Sequence, residues 1–314
     1  MSSKKLPIIT RRKFIEWQSR GALFLAGAGL GLSRPLSALA AGTPDLALAK
    51  GAPAAATRAA VEMLGGMSAF IKKGDRVVIK PNMSFANPPE AATTTHPEVV
   101  RVLAEMCREA GAEKIDILDH TLSSAEMCLE QTGIRSACGG IGSSNVENVG
   151  DSRRYREVEI PDGESMTSTE VMKDVLDADV LIAAPVAKHH SSAGVSLSMK
   201  GNMGLILDRG VMHWKHDLHT AIVDLATLLK ADLTVIDATR ALTTNGPGGP
   251  GDVVTPEMVI ASRDMVAADA KAVSMIRWYG RRIEPRQVKH IRLAHERGLG
   301  RMDIENLRVS EMTV

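Results

Sequence analysis

The sequence predicts an α/β protein with a largely parallel or mixed sheet flanked by helices. Short apolar runs typical of buried strands alternate with helical patterns over most of the 314 residues. The chain is 44% hydrophobic but only 3% aromatic, so Val, Ile, Leu, Met and Ala must fill the core, as in helix-covered parallel sheets. Polar residues follow several predicted strands, which predicts a ligand cleft at the strand ends.

The strands are predicted from short apolar or alternating runs bounded by turn residues. Pro81 ends the first of them, because proline cannot continue a central strand. Residues 155–160 alternate apolar and polar side chains, which is typical of an edge strand. The predicted strands cover residues 76–80, 114–118, 155–160, 179–184, 232–236, 258–262 and 307–309.

The helices are predicted from apolar residues spaced three and four apart. Thr95 or His96 is placed to start one of them, with Pro97 in the first turn and Glu98 three residues after Thr95. Asp264 is expected to cap another. The predicted helices cover residues 56–71, 95–111, 124–132, 168–176, 213–230, 264–279 and 284–297.

Residues 1–40 have the three-part layout of an export signal. Arg11 and Arg12 precede Phe14, an apolar run covers residues 21–32, and Ala-Leu-Ala at residues 38–40 resembles a cleavage site. The arginine pair predicts export by the twin-arginine translocase to the periplasm. An uncleaved N-terminal anchor is the alternative.

After this signal, the sequence predicts a linker followed by a single folded unit. Residues 41–55 are rich in Ala, Gly and Pro, which is typical of a linker. Residues 56–314 are predicted to form one α/β domain, either undivided or split into two subdomains near residue 150.

Charge and cysteine content narrow the function classes. Residues 1–40 carry seven Lys or Arg and one Glu, and the whole chain is +1, so the remainder is −5 and a nucleic-acid partner is not expected. Cys107, Cys128 and Cys138 lack the CxxC spacing of zinc and iron–sulfur sites. Cys107 is expected to be a buried thiol, and the other two either pair or stay free.

The segment from residue 185 to residue 219 is expected to carry the functional site. It follows a predicted strand directly and contains five of the nine histidines. Lys188 comes just after the strand, and Lys200 lies among small residues. Together with Lys80, these lysines are predicted to bind an anionic group such as a carboxylate or phosphate.

Further polar residues at predicted strand ends complete the candidate site. Lys188, His189 and His190 are the predicted catalytic residues, with an imidazole in proton transfer. Asp119 and Asp237 have capping of helices or turns as their alternative role. The predicted ligand-binding residues are Lys80, Asn82, Thr95, His96, Asp119, Lys200, Asn202 and Asp237.

His213, His216 and His219 suggest a metal site. They are spaced three apart, so adjacent pairs are neighbours on a helix. Partly exposed structural histidines are the alternative. The HExxH spacing and the Gly-x-Ser-x-Gly elbow are absent, so neither a zinc protease nor a serine hydrolase is supported. These histidines allow a metal ion as cofactor, but they do not indicate which metal it is.

Several short segments, in the same order from residue 78 to residue 300, resemble one bacterial and archaeal family. They are Val78–Met83, Thr94–Val99, Pro185–His189, Ser198–Gly204, Val235–Asp237, Gly246–Gly251, Ser262–Asp264, Ala268–Asp269 and Gly298–Gly300. The family is known as domain of unknown function 362. Its pattern usually has Lys followed directly by Asn, whereas Gly201 separates Lys200 from Asn202 here.

The resemblance also carries an expectation about redox chemistry. Members of the family are often described as iron–sulfur-associated, some with a ferredoxin-like module rich in cysteine. This sequence has no such module, so the resemblance implies that an iron–sulfur cluster would come from a redox partner protein. We therefore expect an exported enzyme acting on or with an anionic small molecule or cofactor. The alternatives are a non-catalytic periplasmic ligand- or cofactor-binding protein and an accessory partner of an iron–sulfur redox complex.

Overall fold

A mixed, mainly parallel sheet forms the centre of the structure, a computed structural model that describes residues 42–314. Its strands follow the order β13-β1-β12-β10-β7-β2-β3-β4. The strands are β1 Leu46–Lys50, β2 Arg76–Pro81, β3 Lys114–Asp119, β4 Ser144–Asn148, β5 Tyr155–Glu159, β6 Ser168–Met172, β7 Val180–Ala184, β8 Val186–His190, β9 Gly194–Ser196, β10 Leu233–Leu242, β11 Val253–Val254, β12 Met258–Ser262 and β13 Val309–Thr313.

Strand direction places several carboxyl ends at one edge of the sheet. Strands β10, β7, β2, β3 and β4 run parallel, whereas β12 is antiparallel to both of its neighbours, β1 and β10. The hairpin β8–β9 continues from β7 and pairs with the far part of β10. Strands β5 and β6 form a separate two-stranded sheet. The α/β fold class and the mainly parallel sheet that the sequence predicts are confirmed.

Helices cover both faces of the sheet. Because side chains alternate along a strand, Val78 of β2 packs into one core and Val77 and Ile79 pack into the other. The α-helices are α1 Pro53–Met63, α2 Pro97–Glu109, α3 Ala125–Gln131, α4 Ile134–Cys138, α5 Lys173–Leu176, α6 Ser198–Gly201, α7 Val211–Trp214, α8 Leu218–Leu228, α9 Met265–Met275 and α10 Lys289–Glu296. Short 3-10 turns occupy Met67–Ala69, Pro89–Ala91, Ser152–Arg154, Asn202–Leu205, Pro285–Gln287 and Ile304–Asn306.

Two helix starts agree with the predicted caps. The ring Nδ1 of His96 accepts a hydrogen bond from the Glu98 N–H at the start of α2 (3.2 Å). Asp264 Oδ1 accepts hydrogen bonds from the Val266 and Ala267 N–H groups at the start of α9. Each side chain satisfies backbone donors that the first helical turn leaves unpaired.

The predicted linker over residues 41–55 is wrong. Leu46–Lys50 form strand β1, between β12 and β13, and α1 begins at Pro53. Ala47 and Ala49 are fully buried there. Their small side chains give a linker-like composition, but they allow the strand to pack closely against α1.

The two predicted helices over residues 168–176 and 213–230 also differ in the structure. The first begins as strand β6, whose alternating Thr169 and Val171 pair with β5, and becomes helical only at Lys173. The second divides into α7 and α8. The Asp217 carboxylate accepts the Thr220 N–H and starts a new helix, which interrupts the first.

The described residues cover the predicted α/β domain but not the segment before residue 42. Residues Pro44–Val314 form one compact unit, with no division near residue 150. The predicted export signal at residues 1–40 lies outside the described residues. Within residues 42–314, no helix is both long enough and apolar enough to cross a membrane.

Candidate functional site

The hairpin β8–β9 extends beyond the carboxyl ends of the parallel strands and carries the three predicted catalytic residues. Successive side chains of β8 point to opposite faces, so these residues do not all face the same way. Lys188 and His190 project from one face of β8 and line a cavity. His189 lies on the other face, where its ring packs edge-on against Tyr279 with centroids 4.9 Å apart. Its Nδ1 accepts a hydrogen bond from the Gly246 N–H (3.2 Å). Therefore His189 serves the packing of the hairpin rather than the cavity.

The cavity has a volume of about 380 Å³ and lies at the ends of β2, β3 and β8. Four basic side chains face it, and the described residues that line it include a single carboxylate, that of Asp119. The polar and charged side chains that line it belong to Lys80, Asn82, Ser84, Asp119, Lys188, His190, Ser191, Ser192, Ser196, Lys200, Arg209 and His213.

Lys80 and Asp119 form a buried ion pair at the ends of β2 and β3. Lys80 Nζ lies 3.2 Å from Asp119 Oδ1 and also donates to the Pro81 carbonyl. Asp119 Oδ2 accepts hydrogen bonds from Met83 N–H (3.0 Å) and Ser84 Oγ (2.7 Å), whereas Oδ1 receives no well-directed hydrogen bond. Burial lowers the pKa of Lys80, and the neighbouring carboxylate opposes this effect. This pair fixes the part of the cavity nearest the sheet.

Lys188 is held against the opposite wall. Its Nζ donates to the Thr93 carbonyl (2.6 Å) and lies 4.8 Å from the centroid of the Phe85 ring, a cation–π distance. Burial lowers the pKa of Lys188 to about 7. Asp119 opposes that shift, and the nearby Lys200 and Lys80 add to it.

Lys200 lies on the four-residue helix α6, whose first residues are hydrogen-bonded to the Asp269 carboxylate. Asp269 Oδ1 accepts hydrogen bonds from Ser198 N–H (2.8 Å) and Ser198 Oγ (2.6 Å), and Oδ2 accepts the Met199 N–H (3.1 Å). Burial raises the pKa of Asp269 to about 7, against these hydrogen bonds. Burial, followed by the charges of Arg209 and Lys80, lowers the pKa of Lys200 to about 7.

Two histidines complete one side of the cavity. The rings of His190 and His213 stack with centroids 5.8 Å apart and planes 13° from parallel. The Nδ1 atom of His190 accepts the N–H groups of Ser192 (3.2 Å) and Ala193 (3.3 Å), so the proton of its neutral ring is on Nε2. Burial, followed by Lys200, lowers the pKa of His190 to about 2 and keeps the ring neutral. His190 therefore offers a hydrogen-bond donor to a ligand.

Arg209 is the basic residue of the cavity that the sequence prediction missed. It donates to the His120 carbonyl, close to the end of β3, and its Nη1 lies 3.4 Å from Ser84 Oγ. It stands within the segment 185–219, between Asp208 and Gly210, so its position in that segment was the available signal. The role of Asp269 was also missed, and the sequence feature that could have indicated it is a carboxylate among alanines inside a predicted helix.

Three of the predicted ligand-binding residues make hydrogen bonds that hold elements of the fold together. Thr95 Oγ1 donates to the Ala184 carbonyl (2.7 Å) and accepts the Asn82 N–H (2.8 Å). Asn82 lines the cavity, and its Oδ1 accepts the Val186 N–H (2.9 Å). Asn202 is buried and donates to the Leu229 carbonyl (2.9 Å). The contacts of Thr95 and Asn82 join the ends of β2 and β7 to the start of β8, and that of Asn202 ties its 3-10 turn to the end of α8.

Asp237 lies inside β10, not at its end. The strand continues to Leu242, six residues beyond the predicted limit at residue 236. Asp237 is fully buried and accepts hydrogen bonds from His96 N–H (2.8 Å), Thr239 Oγ1 (2.6 Å) and Arg240 Nη1 (2.6 Å). With its acceptor oxygens occupied, Asp237 links β10 to α2, and His96 acts as the cap of that helix.

The structure places the three histidines of the predicted metal site in different surroundings. His213 stacks on His190, His216 Nδ1 lies 3.4 Å from Ser165 Oγ, and His219 stacks on the buried His290. Among residues 42–314, no group of three or more His, Cys, Asp or Glu is arranged to hold a metal ion. The side chains of residues 42–314 therefore do not supply a set of three or more such ligands for a metal ion or an iron–sulfur cluster.

The three cysteines are buried free thiols, so Cys128 and Cys138 are unpaired in the structure. Burial raises the pKa of Cys138 to about 12 and also raises the pKa of Cys107 and Cys128. A protonated, buried thiol is a poor nucleophile and a poor metal ligand. The cysteines therefore contribute to packing.

The chain matches both a family model and known proteins. A model described as "Domain of unknown function (DUF362)" matches residues 77–274, well over half of the sequence. A thylakoid-associated protein of Synechocystis sp. is 30% identical over 224 residues, covering 68% of this chain and 67% of that protein. The lactate racemase apoprotein from Thermoanaerobacterium thermosaccharolyticum is similar over 73% of this chain and 57% of its own, with 14% identity and a TM-score of 0.45. The chain thus spans little more than half of that structure, and this likeness carries no functional argument.

Proposed function

This chain belongs to the family that shares domain of unknown function 362, and from that premise we propose that it binds a small, multiply charged anion and performs acid–base chemistry on it. The observation that carries the proposal is the charge of the cavity at the strand ends. Among the described residues that line it, four basic side chains face one carboxylate. The basic residues are Lys80, Lys188, Lys200 and Arg209, and the carboxylate is Asp119.

A bound oxyanion would resolve the electrostatic imbalance of this cavity. Buried ammonium groups without counter-ions are unfavourable, and the lowered pKa values of Lys188 and Lys200 express that cost. An anion with two or more charges would restore the charged form of both lysines. Carboxylate and phosphate oxygens match ammonium and guanidinium donors. A volume of about 380 Å³ suits a small molecule, since ligand pockets run from about 300 to 1,000 Å³.

The same groups favour catalysis over ligand carriage alone. A lysine whose pKa is about 7 can donate or accept a proton near neutral pH, which an exposed lysine cannot do. His190 offers a neutral N–H donor beside these lysines, and His213 lies against it. A site that only retained an anion would be served by permanently charged groups such as Arg.

Calorimetric titration with inorganic phosphate, malonate and citrate at pH 6.5 tests the proposal. We expect binding of at least one of these anions, and Lys188→Met should weaken it by about tenfold or more, because a buried cation is lost from the site. Lys72→Met is the matched control, since Lys72 is exposed and lies outside the cavity. Equal affinities in the wild type and Lys188→Met, or no binding of any of the three anions, would reject the proposal.

We further propose export through the twin-arginine pathway, on the pattern at residues 1–40. The support is the pair Arg11-Arg12 followed by Phe14 and an apolar run. Replacing both arginines by lysine should leave the protein in the cytoplasm of the host, as measured by cell fractionation. Lys4→Arg is the control, because it keeps the pair and the charge. Unchanged export of the Arg11→Lys/Arg12→Lys variant would exclude this route.

A further inference from the structure

Lys200 differs from the other two lysines of the cavity in having no partner. Lys80 is paired with Asp119, and Lys188 donates to the Thr93 carbonyl. Within residues 42–314, Lys200 Nζ has no hydrogen-bond or ion-pair partner, although the residue is only 8% exposed. Lys200 Nζ is not one of the fully buried polar atoms that lack a partner, so the amine opens onto the cavity. An amine that lines a cavity and has no protein partner is available to contact or react with a ligand.

The surroundings of Lys200 favour the neutral amine, which is the nucleophilic form. The residue is buried, and Arg209 and Lys80 are the cations that act on it most strongly. A lysine in a desolvated site beside other cations is an established means of activating an amine toward carbonyl carbon. With a pKa of about 7, roughly half of the Lys200 amines are neutral at pH 7, against fewer than about one in a thousand for an exposed lysine.

We propose that Lys200 forms a covalent imine with a small carbonyl compound that also carries a carboxylate or phosphate group. This inference rests on the proposed anion site, which would hold the charged group through Lys188 and Arg209. The amine nitrogen of Lys200 adds to the carbonyl carbon, and the carbonyl oxygen takes up a proton to give a carbinolamine. Loss of that oxygen as water, with the second nitrogen proton, gives the carbon–nitrogen double bond. The sum is amine plus carbonyl giving imine plus water, with no oxidant or reductant.

The two cavity histidines are placed to assist the proton transfers. His190 Nε2–H is a donor, because its Nδ1 is occupied by two backbone N–H groups. It would hydrogen-bond the carbonyl oxygen as negative charge develops there. His213 stacks on His190, and burial followed by the Lys200 charge lowers its pKa, so its neutral ring can take the proton released from nitrogen.

Reductive trapping tests the inference on the intact chain. Glyoxylate, the smallest aldehyde with a carboxylate, is added with cyanoborohydride, which reduces an imine to a stable secondary amine. Peptide mass spectrometry then reports which lysine carries the added carboxymethyl group and how fast. We expect Lys200 to be modified about tenfold or more faster than exposed Lys72, with a rate that rises through pH 7 and then levels off. Modification of Lys200 no faster than Lys72, or preferential modification of Lys188, would overturn the assignment.

Two matched variants sharpen the test. Lys200→Met should lose the fast phase, whereas His189→Gln should keep it, since His189 faces away from the cavity. Inorganic phosphate should slow the trapping of Lys200 and leave that of Lys72 unchanged. If phosphate binds the wild type but Lys200 shows no fast trapping, the imine inference fails and the anion site stands. If none of phosphate, malonate and citrate binds or slows the trapping, the anion site itself fails.

Discussion

Lys80 Nζ and Asp119 Oδ1 lie 3.2 Å apart and join the carboxyl ends of the neighbouring parallel strands β2 and β3. Both side chains are buried. Because this pair is already neutral overall, the unbalanced charge of the cavity comes from Lys188, Lys200 and Arg209. The geometry of the pair therefore fixes one end of the cavity, while the other cations remain available for an incoming anion.

Gly204 is needed for this pair. A Cβ atom at Gly204 would lie 2.1 Å from Asp119 Oδ1 and 2.6 Å from Lys80 Cε, which forces the pair apart. We expect Gly204→Ala to lower the free energy of unfolding by about 1–3 kcal/mol. Phosphate affinity should fall by about tenfold or more, because the cationic groups are displaced.

Urea unfolding and calorimetry measure both effects of Gly204→Ala. The control is Gly140→Ala, where the added Cβ would have no atom within 4 Å. It should change neither quantity appreciably. Normal stability and normal phosphate affinity in Gly204→Ala would show that the pair is not held as the structure has it.

Asp119→Ala should be among the most destabilising substitutions in the cavity. It leaves Lys80 buried without its counter-ion and removes the acceptor of Met83 N–H and Ser84 Oγ. Breaking one partner of a buried pair costs about 3–5 kcal/mol, to be measured by urea unfolding. Adding Lys80→Met should recover part of this loss, because no unpaired charge then remains.

The coupling between Asp119 and Lys80 is the decisive quantity in that double-variant experiment. Strictly additive effects of Asp119→Ala and Lys80→Met would contradict a direct interaction. The exposed pair Arg58–Glu109 supplies the contrast, with its nitrogen and oxygen 2.9 Å apart. Glu109→Gln should change the free energy of unfolding by no more than about 1 kcal/mol, since solvent screens that pair.

Sequence patterns predicted the sheet and the convergence of the lysines for a simple physical reason. Buried strands of β-branched and apolar residues are local signals, and the carboxyl ends of parallel strands meet at one edge. Lys80 ends one such strand, Asp119 directly follows another, and Lys188 comes four residues after a third, so their proximity could be inferred without coordinates. Lys200 was identified because it lies among residues too small to cover it.

The remaining parts of the site depend on tertiary pairing that periodicity does not reveal. Asp237 looks like a strand end, but pairing with β8 carries β10 five residues further and buries Asp237. His213 and His219 share a helical spacing, yet Asp217 starts a new helix between them. His189 and His190 are equivalent in sequence, and only the direction of β8 decides which one faces the cavity.

The lowered lysine pKa values predict a rise in stability with pH. Lys188 and Lys200 have pKa values of about 7 when folded and about 10.4 when unfolded, so between these values the unfolded chain binds more protons. Stability is then gained as pH rises from 7. Asp269 has a folded pKa raised to about 7, so its ionisation lowers the stability of the folded protein as pH rises toward 7. Above pH 7 little of this stability remains to be lost, so Asp269 opposes the rise only slightly.

Urea unfolding at pH 7 and pH 8, without multivalent anions, measures this rise. The upper limit keeps the cysteines of the unfolded chain mostly protonated. We expect a gain of roughly 1–3 kcal/mol in the wild type and about half of that in Lys200→Met. A flat or falling profile in the wild type would show that the two lysines remain charged in the folded protein.

Asp269 should act on the cavity through the position of Lys200. Its carboxylate accepts two N–H groups and one hydroxyl at the start of α6, the helix that carries Lys200. Asp269→Ala leaves these donors unsatisfied, at about 1–3 kcal/mol for each buried group, and frees α6 to shift. We therefore expect a loss of stability and a fall of about tenfold or more in phosphate affinity, measured in dilute buffer where the variant is still folded.

Asp264→Ala is the matched control. It removes a helix cap and so lowers stability, but Asp264 contacts α9 and Arg301 rather than α6. If Asp264→Ala weakens phosphate binding as much as Asp269→Ala, the effect is one of general destabilisation. If only Asp269→Ala weakens it, and Asp269→Asn restores part of the affinity through its remaining oxygen, Asp269 is a positioning residue for Lys200.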